Sequence, residues 1–248
     1  MILTNRLADQ LTDVTLTVSE LAALQTYTGL DELPVALQIP LASASEYHIS
    51  ALMERGLIVD GYAHPQLAGW LRTLGAASHL VSVRRVTALQ PERFVLARSD
   101  RLQVVPVAAV RTGDVVRISE LTGSVIAPLR RYLGRAPSIR AGDVRAPREA
   151  LVNALGSGTA VLPAESALRQ IGAAPRDART YSAGLTRITA MTEVTAGPPH
   201  ADQLVAGIFD SSFGRFMTVP SGQGGSAWLT LCGSDEARIT SLLRRMCG

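Results

Sequence analysis

The chain has 248 residues, 47% hydrophobic and 18% charged, with a formal net charge of +3. That composition is globular, not disordered, and the length suits one large domain or two intimate subdomains. All 24 basic residues are Arg and none is Lys, which excludes a Walker-type phosphate-binding Lys, a Schiff base and a Lys general base.

Residues 14–16 (VTL) read as a short strand. Thr17-Val18-Ser19-Glu20 is a capping box, in which Thr17 and Glu20 each satisfy a free backbone N–H. The helix it opens carries Leu21, Leu24 and Tyr27 on one face and closes at Gly29. The apolar stretch LPVALQIP (33–40) ends at Pro40 and is expected as a strand. A second helix is expected over 43–56, with Ile49, Leu52 and Met53 inward and Gly56 as its cap. A third follows over 65–75, with Pro65 early and Leu67, Trp70, Leu71 and Leu74 as its stripe.

From residue 81 the chain says the same thing twice. Residues 81–133 run strand, strand, strand, strand, helix: VSVRRVTAL, RFVLARS, RLQVVPVA, DVVRIS and GSVIAPLRRYLG. Ser99-Asp100 is expected to make a tight hairpin, and Pro106 an edge or bulge position. Residues 187–247 repeat the order with RITAMTEVT, LVAGIFDS, GRFMTVPS, SAWLTLC and SDEARITSLLRRMC. Each block follows a helix-like segment, AHPQLAGWLRTLGA and LPAESALRQIGAA. Between the blocks, 134–148 (GRAPSIRAGDVRAPR) reads as a linker. Helices at 149–155 and 164–172 and a polar loop at 173–184 come next. The last helix is expected to start at Ser234 as N-cap, with Ile239, Leu242, Leu243 and Met246 as its stripe.

Short hairpins imply antiparallel pairing, and clustered helices imply segregation from the sheet. The expected fold class is α+β: a central, mostly antiparallel β-sheet with two helical bundles and pseudo-two-fold related halves, 1–134 and 135–248.

The sequence supplies no motif of catalysis. GxSxG, HExxH, GxxxxGK[ST] and GxGxxG are absent. The Gly-rich SGQGGS (221–226) lies between two strands, without the helix N-terminus a phosphate cradle needs. His48, His64, His79 and His200 each stand alone, and Asp100, Asp202 and Asp210 are explained by turns and strand ends. Cys232 and Cys247 have no CxxC or Cys/His spacing. The expectations are no catalytic residues, no metal and no cofactor. The start MILTNRLADQ lacks the pattern of a signal peptide, and no apolar run approaches a membrane span. A cytoplasmic protein is expected, with no membrane and no nucleic acid among its partners, since the Arg residues are scattered from Arg6 to Arg245.

One segment invites a competing reading. EYHISALMERGLIVDG resembles the helix and following hairpin of a winged-helix regulator of DNA. Its helix offers only Arg55 as a basic side chain, whereas base reading needs several.

Both ends of the chain resemble a known family. VTLTVSELAALQTYTGLDELPVAL and IFDSSFGRFMTVPSGQGGSAWLTLCGSDEARITSLLRRM are similar to the start and end of the EspG proteins of type VII (ESX) secretion systems in high-GC actinobacteria. The matching positions are Gly214-Arg215, Thr218-Val219-Pro220-Ser221-Gly222, Trp228-Leu229-Thr230 and Glu54-Arg55-Gly56-Leu57. The middle, 134–185, matches loosely. The resemblance implies a cytosolic, non-enzymatic chaperone that binds the PPE subunit of a PE–PPE heterodimer. It covers an apolar tip and keeps the pair soluble for protein transport. It also implies an interface on the sheet face and C-terminal helical bundle. An apolar partner surface can self-associate into a weak homodimer at high concentration. The expected partner-binding residues are the 98–101 turn (Arg98, Ser99, Asp100, Arg101), the face of strand 187–194 carrying Arg187, Thr189 and Thr192, and the 173–184 loop.

Overall fold

Thr17 opens the first helix by the expected reciprocal bonding. Its Oγ1 accepts from the Glu20 N–H at 3.1 Å, and Glu20 Oε2 accepts from the Thr17 N–H at 2.7 Å, so two donors without helical acceptors are paired. Gly29 ends that helix at φ 65°, a left-handed conformation available to glycine at little cost. Glu20 Oε1 also accepts from Arg55 Nη1 at 2.8 Å. Burial pushes the Glu20 carboxyl up, but hydrogen bonds from Thr17 and Arg55, with the Arg55 charge, outweigh it and hold the group below the usual carboxylate range. A carboxyl lowered in this way adds stability that is full above its unfolded pKa and lost as pH falls through its folded pKa. Glu20→Ala is therefore expected to cost about 1–2 kcal/mol at pH 7. In urea titrations the wild-type advantage should narrow as the buffer is taken toward pH 3.

The computed structural model describes residues 10–40, 45–100, 105–156, 161–221 and 228–248, the side chains of 161–163 excepted. In chain order the elements are β1 (Asp13–Thr17), α1 (Val18–Thr28), a 3-10 turn (Val35–Leu37), α2 (Glu46–Glu54), β2 (Ile58–Val59), β3 (Tyr62–Ala63), α3 (Pro65–Gly75), β4 (His79–Thr87), β5 (Pro91–Arg98), β6 (Val107–Thr112), β7 (Val115–Glu120) and α4 (Ile126–Leu133). They continue with β8 (Val144–Pro147), α5 (Arg148–Gly156), α6 (Val161–Gln170), α7 (Pro175–Leu185), β9 (Ile188–Gly197), β10 (Leu204–Ser211), β11 (Phe216–Pro220), β12 (Trp228–Gly233) and α8 (Glu236–Cys247). The string of four strands and a helix occurs twice, as β4 to α4 and as β9 to α8. The fold class is α+β with antiparallel strand pairing, as the sequence led us to expect.

The chain divides into two compact units, Met1–Leu80 with Glu92–Gly123, and Val81–Pro91 with Ser124–Gly248. In the first, β1, β7, β6 and β5 are successive antiparallel neighbours. Leu21 and Leu24 of α1, Leu52 of α2, and Leu67, Trp70, Leu71 and Leu74 of α3 share a core with Val95, Ala109, Val116 and Ile118 of the strands. Trp70 keeps its one polar atom satisfied by donating Nε1–H to Glu120 Oε1 at 2.8 Å.

In the second unit the strand order is β4-β9-β10-β11-β12-β8. The pairs from β9 through β8 are antiparallel. Leu151, Ala154, Leu168, Ala178, Tyr181 and Leu185 from α5, α6 and α7 pack with Phe216, Leu229 and Leu231. α8 packs against α4 and β9, with Ile239, Leu242, Leu243 and Met246 buried.

Five local expectations are corrected. Within 33–40, Val35–Leu37 form a 3-10 turn and no strand forms; Gln38 closes the turn at φ 50°. The 134–148 linker contains edge strand β8, which pairs Trp228 with Pro147 and Leu231 with Val144. The inward residues of β8 are Val144 and Ala146, hidden between Arg and Pro. The 173–184 loop is helix α7: Pro175 is accepted in its first turn, and the small Ala178 and Ser182 are buried beside Tyr181 and Leu185. The 99–100 hairpin is not tight, since Ala97 pairs with Val107. Asp235, not Ser234, caps α8, accepting from the Arg238 N–H at 2.8 Å.

A two-stranded hairpin, β2–β3, does follow α2. Arg55, the one basic side chain that segment offers for DNA, is turned to Glu20 and the Thr15 carbonyl. Among the described residues, no helix is long and apolar enough to cross a membrane.

Candidate partner-binding surface

Antiparallel pairing brings Met191 of β9 opposite Phe209 of β10, Glu193 opposite Gly207 and Thr195 opposite Val205. Directly opposed residues share a sheet face. At Asp210/Ser211 the register shifts, so that Ser211 opposes Ile188. The irregularity carries Ile188 onto the same face as Met191.

That face holds the floor of an open groove of about 600 Å³. Val152 and Leu155 of α5, Leu185 of α7 and Val86 of β4 add apolar walls, and Arg84, Arg148 and Glu193 are its charged members. Val86 is 39% exposed, Met191 50% and Val152 51%. Three apolar side chains exposed in one concavity make this groove the candidate contact surface.

Gly207 keeps the floor low. A Cβ there would sit 2.9 Å from Thr218 Oγ1 and 3.1 Å from the Phe209 ring, while Thr218 Oγ1 accepts the Gly207 N–H at 3.0 Å. Phe209 is fixed by stacking on Phe216, with ring centroids 5.1 Å apart. Gly207→Ala is expected to lose about 1–2 kcal/mol of stability through this crowding, measured as a lower urea midpoint.

The sequence-based candidates fall in different places. Arg98, Ser99 and Asp100 belong to the first unit. Ser78 pins their turn: its N–H donates to the Arg98 carbonyl at 2.9 Å, and its Oγ accepts the Asp100 N–H at 3.0 Å. Ser99 is buried at 3% exposure, and Arg98 Nε lies 3.7 Å from Asp100 Oδ1. Arg101 lies outside the described residues. In the second unit Arg187 and Thr189 are exposed, and Thr189 Oγ1 donates to the Asp210 carbonyl at 3.2 Å. Thr192 is not exposed with them. It borders the groove, but its side chain is 4% exposed and lies on the face opposite Met191.

Val86, Val152, Met191 and Phe209 were missed because each reads as ordinary core. The available signal was parity: on a strand Arg187, Thr189 and Met191 alternate with Thr192, so an apolar residue had to share the outward face. Among the described residues, no cluster of three or more His, Cys, Asp or Glu could hold a metal.

Fold and groove define an α+β protein with an open apolar surface on an antiparallel sheet. The EspG family model matches residues 17–245, and the chain belongs to the EspG family. No curated protein matches it. Among solved structures the chain is similar to the Mycobacterium tuberculosis type VII secretion system chaperone EspG5 in complex with the PE25–PPE41 dimer. The TM-score is 0.79 at 20% sequence identity, covering 95% of this chain and 96% of that one. At that identity the likeness speaks for the shared fold.

Proposed function

We propose that this chain is a cytoplasmic chaperone, without catalytic activity or cofactor, that binds the PPE subunit of a PE–PPE heterodimer and covers its apolar tip before type VII secretion. The observation that carries the reading is the groove of Val86, Val152, Met191 and Phe209 in a chain of the EspG family. An apolar tip exposed on a client is an aggregation liability, and a concave apolar surface on a sheet removes it from water. Arg84 and Arg148 beside Glu193 set the orientation of the client more than its affinity. The positions Arg98, Asp100, Arg101, Arg187 and Thr189 are proposed as polar contacts of the same client. The buried Ser99 and Thr192 act by shaping their neighbours. Segments 1–134 and 135–248 are proposed as the two halves of the duplicated architecture.

The test is light scattering from a purified PE–PPE pair held at a temperature where it aggregates. An equimolar amount of this chain should suppress the scattering without nucleotide. Aggregation that proceeds unchanged with every PE–PPE pair tried would count against the reading.

A further inference from the structure

A second large cavity of the Ser124–Gly248 part of the chain, about 680 Å³, opens between the C-terminal end of α4 and the N-terminal end of α8. The client-binding reading makes no use of it. Its charged and polar walls are Arg130, Arg131, Arg135, Arg215, Ser234, Asp235 and Glu236.

Three independent features point to an anionic ligand. The first is the start of α8, a helix of 12 residues whose N-terminus carries the positive end of the backbone dipole. The second is Ser234. It lines the cavity at 3% exposure, and among the described residues its buried Oγ has no hydrogen-bond partner. Asp235 has taken the capping role that Ser234 would otherwise fill, which leaves a hydroxyl that native structures rarely leave unpaired. The third is the charge balance. Arg130 pairs with Glu236, and Arg215 with Asp210. Asp235 accepts from the Arg238 backbone and stands 3.7 Å from Arg238 Nε. Both carboxylates of the cavity are thus committed. Arg131 and Arg135 are exposed, and among the described residues their side chains make no ion pair or hydrogen bond. The uncommitted charge at the cavity is positive.

We propose that this cavity binds a small phosphate monoester. A turn of Ser234 about its Cα–Cβ bond lets Oγ donate to a phosphate oxygen, and Arg131 and Arg135 supply the balancing charge. The volume exceeds that of a bare ion and is in the range of small-molecule sites.

Isothermal titration of the full chain with inorganic phosphate and with adenosine monophosphate, at ionic strength fixed with chloride, tests this. Saturable binding is expected, tighter for the monophosphate. Ser234→Ala and the double variant Arg131→Ala/Arg135→Ala should each weaken it tenfold or more. Thermal melts should show both variants folded, since neither removes a bond present in the free protein. No saturable binding of either probe, or binding that folded variants leave unchanged, overturns the proposal. The outcome is independent of client binding, because no PE–PPE pair takes part in the measurement.

Discussion

Replacing Met191 and Val152 together by Asp is expected to weaken binding of a PE–PPE heterodimer by about a hundredfold, which is close to 3 kcal/mol. Both side chains are half exposed, so neither supports the core, and stability should change by less than about 0.5 kcal/mol for each. Their role in binding is different. A client tip seated on the groove removes them from water, and a carboxylate at either position must then be buried without a partner. Each single substitution should weaken binding about tenfold or more. Titration calorimetry against the same client, beside thermal melts, separates the two quantities. Unchanged affinity in a folded double variant would place the client on another surface.

The second large effect is structural. Arg215→Ala is expected to destabilise the chain by about 2–4 kcal/mol, because it removes the main partner of a half-buried carboxylate and of two carbonyls. Arg215 is 4% exposed. Its guanidinium engages both oxygens of Asp210, and donates to the Gly134 carbonyl at 2.9 Å and the Leu133 carbonyl at 2.7 Å. Arg85 reaches the same Asp210 at 3.4 Å and the Tyr132 carbonyl at 3.2 Å. With Arg215 gone, Arg85 keeps only these long contacts and a 3.5 Å bond to the Leu133 carbonyl, which make up for part of the loss. Arg215→Lys should recover only part of the loss, since an ammonium cannot present the planar fork that meets carboxylate and carbonyls together. Urea unfolding of the three proteins gives the order wild type, Lys, Ala.

Arg215 also shows what the sequence could and could not disclose. Gly214-Arg215 was recognised as a family-like pair without a physical reason. The reason is close approach: a Cβ on Gly214 would stand 2.8 Å from the Ile139 nitrogen, and the Arg215 carbonyl accepts the Ile139 N–H at 2.9 Å. The stretch read as a linker is therefore held to the residues that lead into β11. Nothing in GRAPSIRAGDVRAPR reveals this, because its partners lie some 75 residues onward in a different element. Elements that carry their own stripe were legible. α3 with Leu67, Trp70, Leu71 and Leu74, and α8 with Ile239, Leu242, Leu243 and Met246, fold where their periodicity puts them. α7 was not, since its inward face is built partly from Ala178 and Ser182, which carry little hydrophobic signal.

The groove was hidden for a related reason. An exposed Met191 and a buried Met look identical in a sequence, and only pairing with Phe209 and the neighbouring α5 makes the first a surface feature. The polar residues chosen from the strand were surface candidates by composition, but Thr192 turned inward because strand parity overrides polarity.

Co-expression of the chain with PE–PPE pairs, followed by size-exclusion chromatography with light scattering, tests the central claim most directly. The account predicts co-elution with at least one pair, at a mass equal to one copy of each of the three chains. That complex should be lost when the apolar tip of the PPE subunit is made charged. Separate elution of the chain from every pair, or a complex indifferent to the charged tip, would contradict it.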